Sequence, residues 1–140
     1  MRFMLQVRAN RDSEAGVLPS QELIEAMFKF NQEMTAAGVM LAAEGLQASS
    51  KGARISYAGA RRTVVDGPFN PDELIAGFWI WEVRSMDEAV EWLKRCPNPM
   101  PGESEVEIRS VFEAADFGEN FTPQEREREE RLGEKSASRK

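Results

Sequence analysis

A chain of 140 residues that is 41% hydrophobic and 30% charged has room for one domain and a tail, and can bury a core without disulfides or metals. Its formal net charge of −6 argues against a nucleic-acid surface, which needs a basic face. A single cysteine, Cys96, excludes an intrachain disulfide and points to a reducing compartment.

The sequence contains no histidine. That removes the commonest general base near neutral pH, the Ser–His and Cys–His nucleophile pairs and the usual zinc ligands. Acid–base chemistry would fall to carboxylates, Tyr57, Cys96 or a lysine. No cofactor or metal is called for, and a metal would have to be a hard one held by oxygen. The opening MRFMLQVRAN is too short and polar for a secretory segment. No apolar run approaches a membrane span, so the cytoplasm is the expected compartment.

Residues 2–8 alternate, with Phe3, Leu5 and Val7 on one side and Arg2, Gln6 and Arg8 on the other; period two predicts a strand. Residues 10–19 read as a loop. Ser20 is a candidate N-cap for a helix over 21–37, where Leu23, Met27, Phe30 and Met34 form an apolar stripe widened by Ile24 and Phe28. Gly38 is the expected terminator. Residues 39–48 predict a second strand containing Glu44 and Gly45. The short runs 53–57 and 62–66, around Ala58-Gly59-Ala60, predict an inserted hairpin with Arg61 and Arg62 solvated at its tip. Asp66-Gly67-Pro68-Phe69 then opens a turn-rich loop.

Residues 76–83 predict the central strand, aromatic and apolar on both faces apart from Glu82. Ser85-Met86-Asp87-Glu88 is a capping-box pattern. It opens a helix with Ala89, Val90, Leu93 and Cys96 inward, which Pro97 stops. Residues 105–113 alternate again, with Val106, Ile108 and Phe112 opposite Glu107, Arg109, Val111 and Glu113. From 115 onward the composition turns charged. Thr122-Pro123-Gln124-Glu125 is a second capping-box pattern, and the run it opens, 125–131, is wholly charged with Leu132 the one large apolar residue after it, so it reads as a solvated helix or a disordered tail.

The order strand, helix, strand, hairpin, strand, helix, strand predicts an α+β, ferredoxin-like βαββαβ plan with an insertion. Two helices cover one sheet face. The other carries Phe78 and Ile80, each worth about 1.5–3 kcal/mol when buried, and a second copy packing there would make a homodimer.

Several blocks stand in a characteristic order: Val65-Asp66-Gly67-Pro68-Phe69; Glu73-Leu74-Ile75-Ala76-Gly77-Phe78-Trp79; Glu82-Val83; Ala89-Val90-Glu91-Trp92; Arg95-Cys96-Pro97; and Val106-Glu107-Ile108-Arg109 with Phe112-Glu113. Over residues 1–114 they resemble the DGPF-motif branch of the YCII-related family. The resemblance implies a dimeric α/β barrel. It implies little about activity: some relatives are associated with extracytoplasmic-function sigma factors, and one acts in dechlorination of a chlorinated aromatic. A His–Asp pair proposed as catalytic in other relatives has no counterpart in this histidine-free chain. The charged segment 115–140 lies outside the resemblance.

Strand parity puts Gln6, Arg8, Glu107, Arg109 and Glu113 on the barrel side with Phe78, Ile80 and Glu82, joined by Met40, Ala42 and Glu44, while Trp79, Trp81 and Val83 face the helices. This cluster reads either as a ligand site or as an ion-pair layer at a dimer interface. As a site, Arg8 and Arg109 would hold an anionic group of a small acid or aromatic, aided by Gln6, with Phe78 packed on it. Glu44 or Glu82 would move a proton, as a pair if close together, in lyase- or isomerase-like chemistry. Asp66 is a third acid candidate, or else the residue that caps its own turn. Phe69 reads as a loop anchor or a stacking platform. Cys96 reads as a half-buried apolar residue or a nucleophile. A non-catalytic regulatory module that binds a protein is the alternative function.

Overall fold

The computed structural model describes residues 1–120 and 122–138. Phe121 and residues 139–140 of the expected tail lie outside the described residues. The chain divides into two units, Met1–Ser110 and Val111–Lys140.

In the first unit the strands are β1 (Arg2–Arg8), β2 (Met40–Gly45), β3 (Ala53–Ala58), β4 (Arg61–Asp66), β5 (Ile75–Glu82) and β6 (Val106–Ser110), and the helices are α1 (Arg11–Glu14), α2 (Gln21–Ala36) and α3 (Met86–Lys94). The main sheet runs β2-β5-β1-β6 and every pairing is antiparallel. This is the ferredoxin-like α+β plan, with β3 and β4 as a separate two-stranded insertion.

The core lies on one face of that sheet. Register sets Phe3 opposite Trp81, Leu5 opposite Trp79 and Val7 opposite Gly77, and alternation buries those residues together with Phe30 and Met34 of α2, Val39, Val83 and Ala89 of α3. Phe30, Trp79 and Trp81 meet edge-on or tilted, with ring centroids 5.8–6.4 Å apart, a geometry that adds to area burial. The expected parity of β5 is therefore the one observed.

The helix ends follow the sequence. Ser20 Oγ accepts the Leu23 N–H at 3.1 Å. Gly38 at φ +74° lets the Val39 N–H reach back to Met34 O at 3.0 Å. Ser85 Oγ accepts the Glu88 N–H at 3.2 Å. Glu88 closes that cap one residue upstream of the expected place, accepting the Arg84 N–H at 2.7 Å; this bond, chiefly, holds its carboxyl below the usual range.

Other expectations are corrected. Residues 10–19 are not all loop: Asn10 caps the short α1 in a capping box with Ser13. Ile24 and Phe28 do not widen the α2 stripe; they are 54% and 64% exposed, because the sheet meets only the line through Met27, Phe30 and Met34. The inner face of α3 uses Trp92 beside Ala89, Leu93 and Cys96. A bulge between Met40 and Ala42 turns Met40 onto the core, while Ala42 and Glu44 keep the opposite parity. β6 ends at Ser110, so Phe112 and Glu113 lie beyond the strand; Phe112 is 68% exposed and stacks on Phe117.

The second unit holds α4 (Pro123–Ser138). Thr122 and Glu125 exchange the two capping-box bonds, each 3.2 Å. Leu132 is 62% exposed, as expected of a helix without an apolar face, and Arg131 pairs with Glu127 one turn away.

Candidate functional site

A missing row of side chains opens a cleft on the helix side of the sheet. Val7, Gly77 and Gly45 lie side by side across β1, β5 and β2, and two of the three have no side chain to fill the space. The two glycines differ in what forces them. A Cβ on Gly77 would stand 2.9 Å from Glu44 O and 3.3 Å from Gly45 Cα, so close backbone approach demands glycine there. A Cβ on Gly45 would meet nothing within 4 Å; that position faces open space.

The cleft has a volume of about 720 Å³, within the range of small-molecule sites. Its walls come from residues 10–19, the middle of α2, the segment after β2 and the loop 99–101. Val17, Leu18 and Leu46 line it and are 56%, 84% and 49% exposed. Met27 and Met100 add further apolar wall. The charged residues among those lining it are Asp12, Glu44 and Lys51, so Lys51 is its one cation. Asn31 also lines the cleft, and its Oδ1 accepts the Trp79 Nε1–H at 3.2 Å.

Two of the seven expected site residues, Glu44 and Phe78, border this cleft, but their parity is that of the opposite, open face of the sheet. They are cross-strand partners at its rim. The other five lie elsewhere. Arg8 Nη2 donates to Asp72 O at 2.6 Å in a separate hollow lined by Asp72, Glu103 and Glu105. Arg109 is opposite Met4, four residues from Arg8 and so about 13 Å away along β1 at ~3.3 Å per residue; the two guanidinium groups do not converge. Arg109 lies 4.0 Å from Glu107 and is 69% exposed. Gln6 Nε2 contacts Met4 Sδ at 3.6 Å. Glu82 accepts the Met1 ammonium at 3.1 Å and stands four residues along β5 from Phe78, the partner of Glu44. The two glutamates are again about 13 Å apart along the strand and form no carboxylate pair.

Residues 1–114 match the YCII-related domain family. The chain belongs to the YCII-related family. Among curated proteins none matches it. One similar solved structure is 5-chloro-2-hydroxyhydroquinone dehydrochlorinase (TftG) from Burkholderia phenoliruptrix AC1100 in complex with 2,5-dihydroxybenzoquinone. It has 12% sequence identity and a TM-score of 0.44, and the match covers 84% of this chain and 98% of that one.

The Asp66-Gly67-Pro68-Phe69 turn of this YCII-related domain docks on the segment after β2 as structure. Gly67 N–H donates to Gly52 O at 3.0 Å and Phe69 N–H donates to Ser49 Oγ at 2.9 Å. The turn's N–H groups are thus taken by Gly52 and Ser49, and Asp66 is not their cap. Ser49 is in turn gripped by Glu14, whose carboxylate accepts its N–H at 2.9 Å and its hydroxyl. A Cβ on Gly67 would fall 1.8 Å from Ser49 O, so only glycine lets the turn dock. Phe69 is half-buried beneath the Arg54 guanidinium, 4.0 Å from its ring centroid, which makes it an anchor. The clamp fixes the stretch that carries Ala48 and Lys51 into the cleft.

Cys96 packs against the core. Its Sγ–H donates to Pro97 O at 3.2 Å, and burial pushes the thiol up to about 12. That is the opposite of the activation a nucleophilic cysteine needs. No group of three or more Cys, Asp or Glu side chains among the described residues is arranged to hold a metal. No described helix is long and apolar enough to cross a membrane.

Sequence reasoning missed Asn31, Lys51 and the two strand glycines. Signals for three of them were present. Asn31 sits at i+4 from Met27 and i−3 from Met34, a polar residue inside an apolar stripe. Gly45 and Gly77 are glycines inside strands, which mark close backbone approach or a space left for a ligand. Lys51 had no signal, because its place depends on the clamp at Ser49.

Proposed function

We propose that this YCII-related domain binds a small organic acid or aromatic compound in the helix-side cleft. One observation carries the reading: solvent-exposed Val17, Leu18 and Leu46 gather with Met27 and Met100 around a single hollow whose one cation among the described residues is Lys51. Exposed apolar side chains gathered on a concave surface mark a binding site. Lys51 would pair with the ligand's anionic group, and Met27 would pack against its ring. Of the carboxylates bordering the cleft, Asp12 is the group available to accept a proton in lyase- or isomerase-like chemistry, because Glu44 has the parity of the open face.

The open face of the sheet supports a second element of the proposal. Met4, Phe78 and Ile80 are only half-buried there, and a second copy packing on that face would complete their burial in a homodimer.

The test is a thermal-shift screen of aromatic acids and phenols against the wild type and Gly45→Phe, whose ring would occupy the cleft. Ligand at 100 times its Kd stabilises by about 2.7 kcal/mol. A compound that raises the wild-type melting temperature and leaves Gly45→Phe unmoved supports the site; equal shifts in both refute it. If no compound acts and a stoichiometric protein partner is recovered instead, the protein is a regulatory module.

A further inference from the structure

The indole of Trp79 determines which end of an amide faces the cleft. Trp79 is 4% exposed, and an indole N–H can only donate. Its partner, 3.2 Å away, is therefore the Oδ1 of Asn31, and the amide cannot flip without setting two donors against each other in a half-buried place. With Oδ1 committed, the remaining hydrogen-bonding group of this cleft residue is the Nδ2 amide, a donor with two protons. The other polar groups are less constrained or already engaged. Ser13 and Asn10 bond one another through their side chains and backbones, and Lys51 is exposed on a flexible stem.

We infer that Asn31 is the donor by which the cleft selects its ligand, favouring a flat ring with an oxygen acceptor, such as a carbonyl or carboxylate, over one bearing an ammonium group. The inference rests on the cleft being the binding site. Its physical basis is preorganisation: Trp79 holds the amide in one of its two orientations before a ligand arrives, so less ordering is needed on binding. Asn31 is on the same helix as Met27, one turn further on, so a ring lying against Met27 has its substituent beside the amide. Aspartate at this position could still accept the Trp79 N–H, but it would present a negative oxygen where the amide presents a donor.

Nitrogen-15 correlation spectra of the full chain, titrated with acetophenone, benzoate and benzylammonium, test this directly. The Asn31 side-chain NH₂ resonances are expected to shift strongly with acetophenone and benzoate and little with benzylammonium. Asn31→Asp should bind benzoate roughly tenfold more weakly and gain affinity for benzylammonium, while the Trp79 indole N–H resonance persists. Unchanged preference in Asn31→Asp, or movement of the Gly45 and Gly77 amides without the Asn31 NH₂, overturns the inference and leaves the cleft as a site. If none of the three probes moves the Gly45 and Gly77 amides, the binding-site reading fails and the inference falls with it. Should the variant not fold, the wild-type NH₂ shifts decide the matter.

Discussion

Gly45 and Gly77 are neighbours across the same two strands, yet substituting them should have opposite effects. A Cβ on Gly45 meets nothing within 4 Å, and its φ is not positive. Glycine in a strand interior costs roughly 0.5–1 kcal/mol relative to alanine through its extra unfolded-state freedom, and valine is better suited to a strand. Gly45→Val should therefore stabilise by about 1 kcal/mol, raising the melting temperature by about 3–5 °C for a chain of this size. Gly77→Ala instead drives a methyl to within 2.9 Å of Glu44 O and 3.3 Å of Gly45 Cα. Both are backbone atoms, so β2 must shift, and a loss of about 1–3 kcal/mol follows. Thermal and urea melts by circular dichroism read both variants. Destabilisation by Gly45→Val, or equal effects of the two changes, would refute the account of the cleft as space deliberately left by one glycine and backbone contact enforced by the other.

Three further outcomes follow from named contacts. Gly67→Ala places a methyl 1.8 Å from Ser49 O, so a urea melt should show a loss of about 3 kcal/mol; a loss under ~0.5 kcal/mol would mean the turn does not dock on Ser49. Cys96 has its thiol raised to about 12, so above its ordinary value of 9.0 the unfolded chain releases a proton that the folded chain keeps. Stability should fall as pH rises through that window, and Cys96→Ala should flatten the fall; an unchanged pH profile in the variant contradicts this. Ile80→Asp puts a carboxylate on the open sheet face and should convert the proposed homodimer to monomer in sedimentation; a wild type that sediments as a monomer removes the dimer from the proposal.

Much of the fold was legible because its causes are local. Alternation in residues 76–83 assigned Trp79, Trp81 and Val83 to the core, and the register agrees. Ser20, Gly38 and Ser85 marked helix ends because caps are short-range chemistry. Where prediction failed, a non-local partner was responsible. Met40 turns inward at a bulge that only pairing with β5 reveals. Ile24 and Phe28 satisfy the helical period, yet the sheet they would cover is not wide enough to reach them.

The site divides the same way. Parity alone put Glu44 and Phe78 on the open face, where they are cross-strand neighbours, while the cleft lies on the other face. Arg8 and Arg109, or Glu44 and Glu82, have suitable chemistry on one face, but parity carries no information on position along a strand, and register separates each pair by four residues. By itself the sequence determined the α+β plan, the absence of histidine chemistry and the family. Tertiary structure alone decided that the cleft lies on the helix side, that Lys51 lines it and that Asn31 lines it with its Oδ1 held by the Trp79 indole. Periodicity fixes which side of an element a residue occupies. Which residues meet depends on register, on a clamp such as Glu14–Ser49–Phe69, and on an indole 48 positions from its amide.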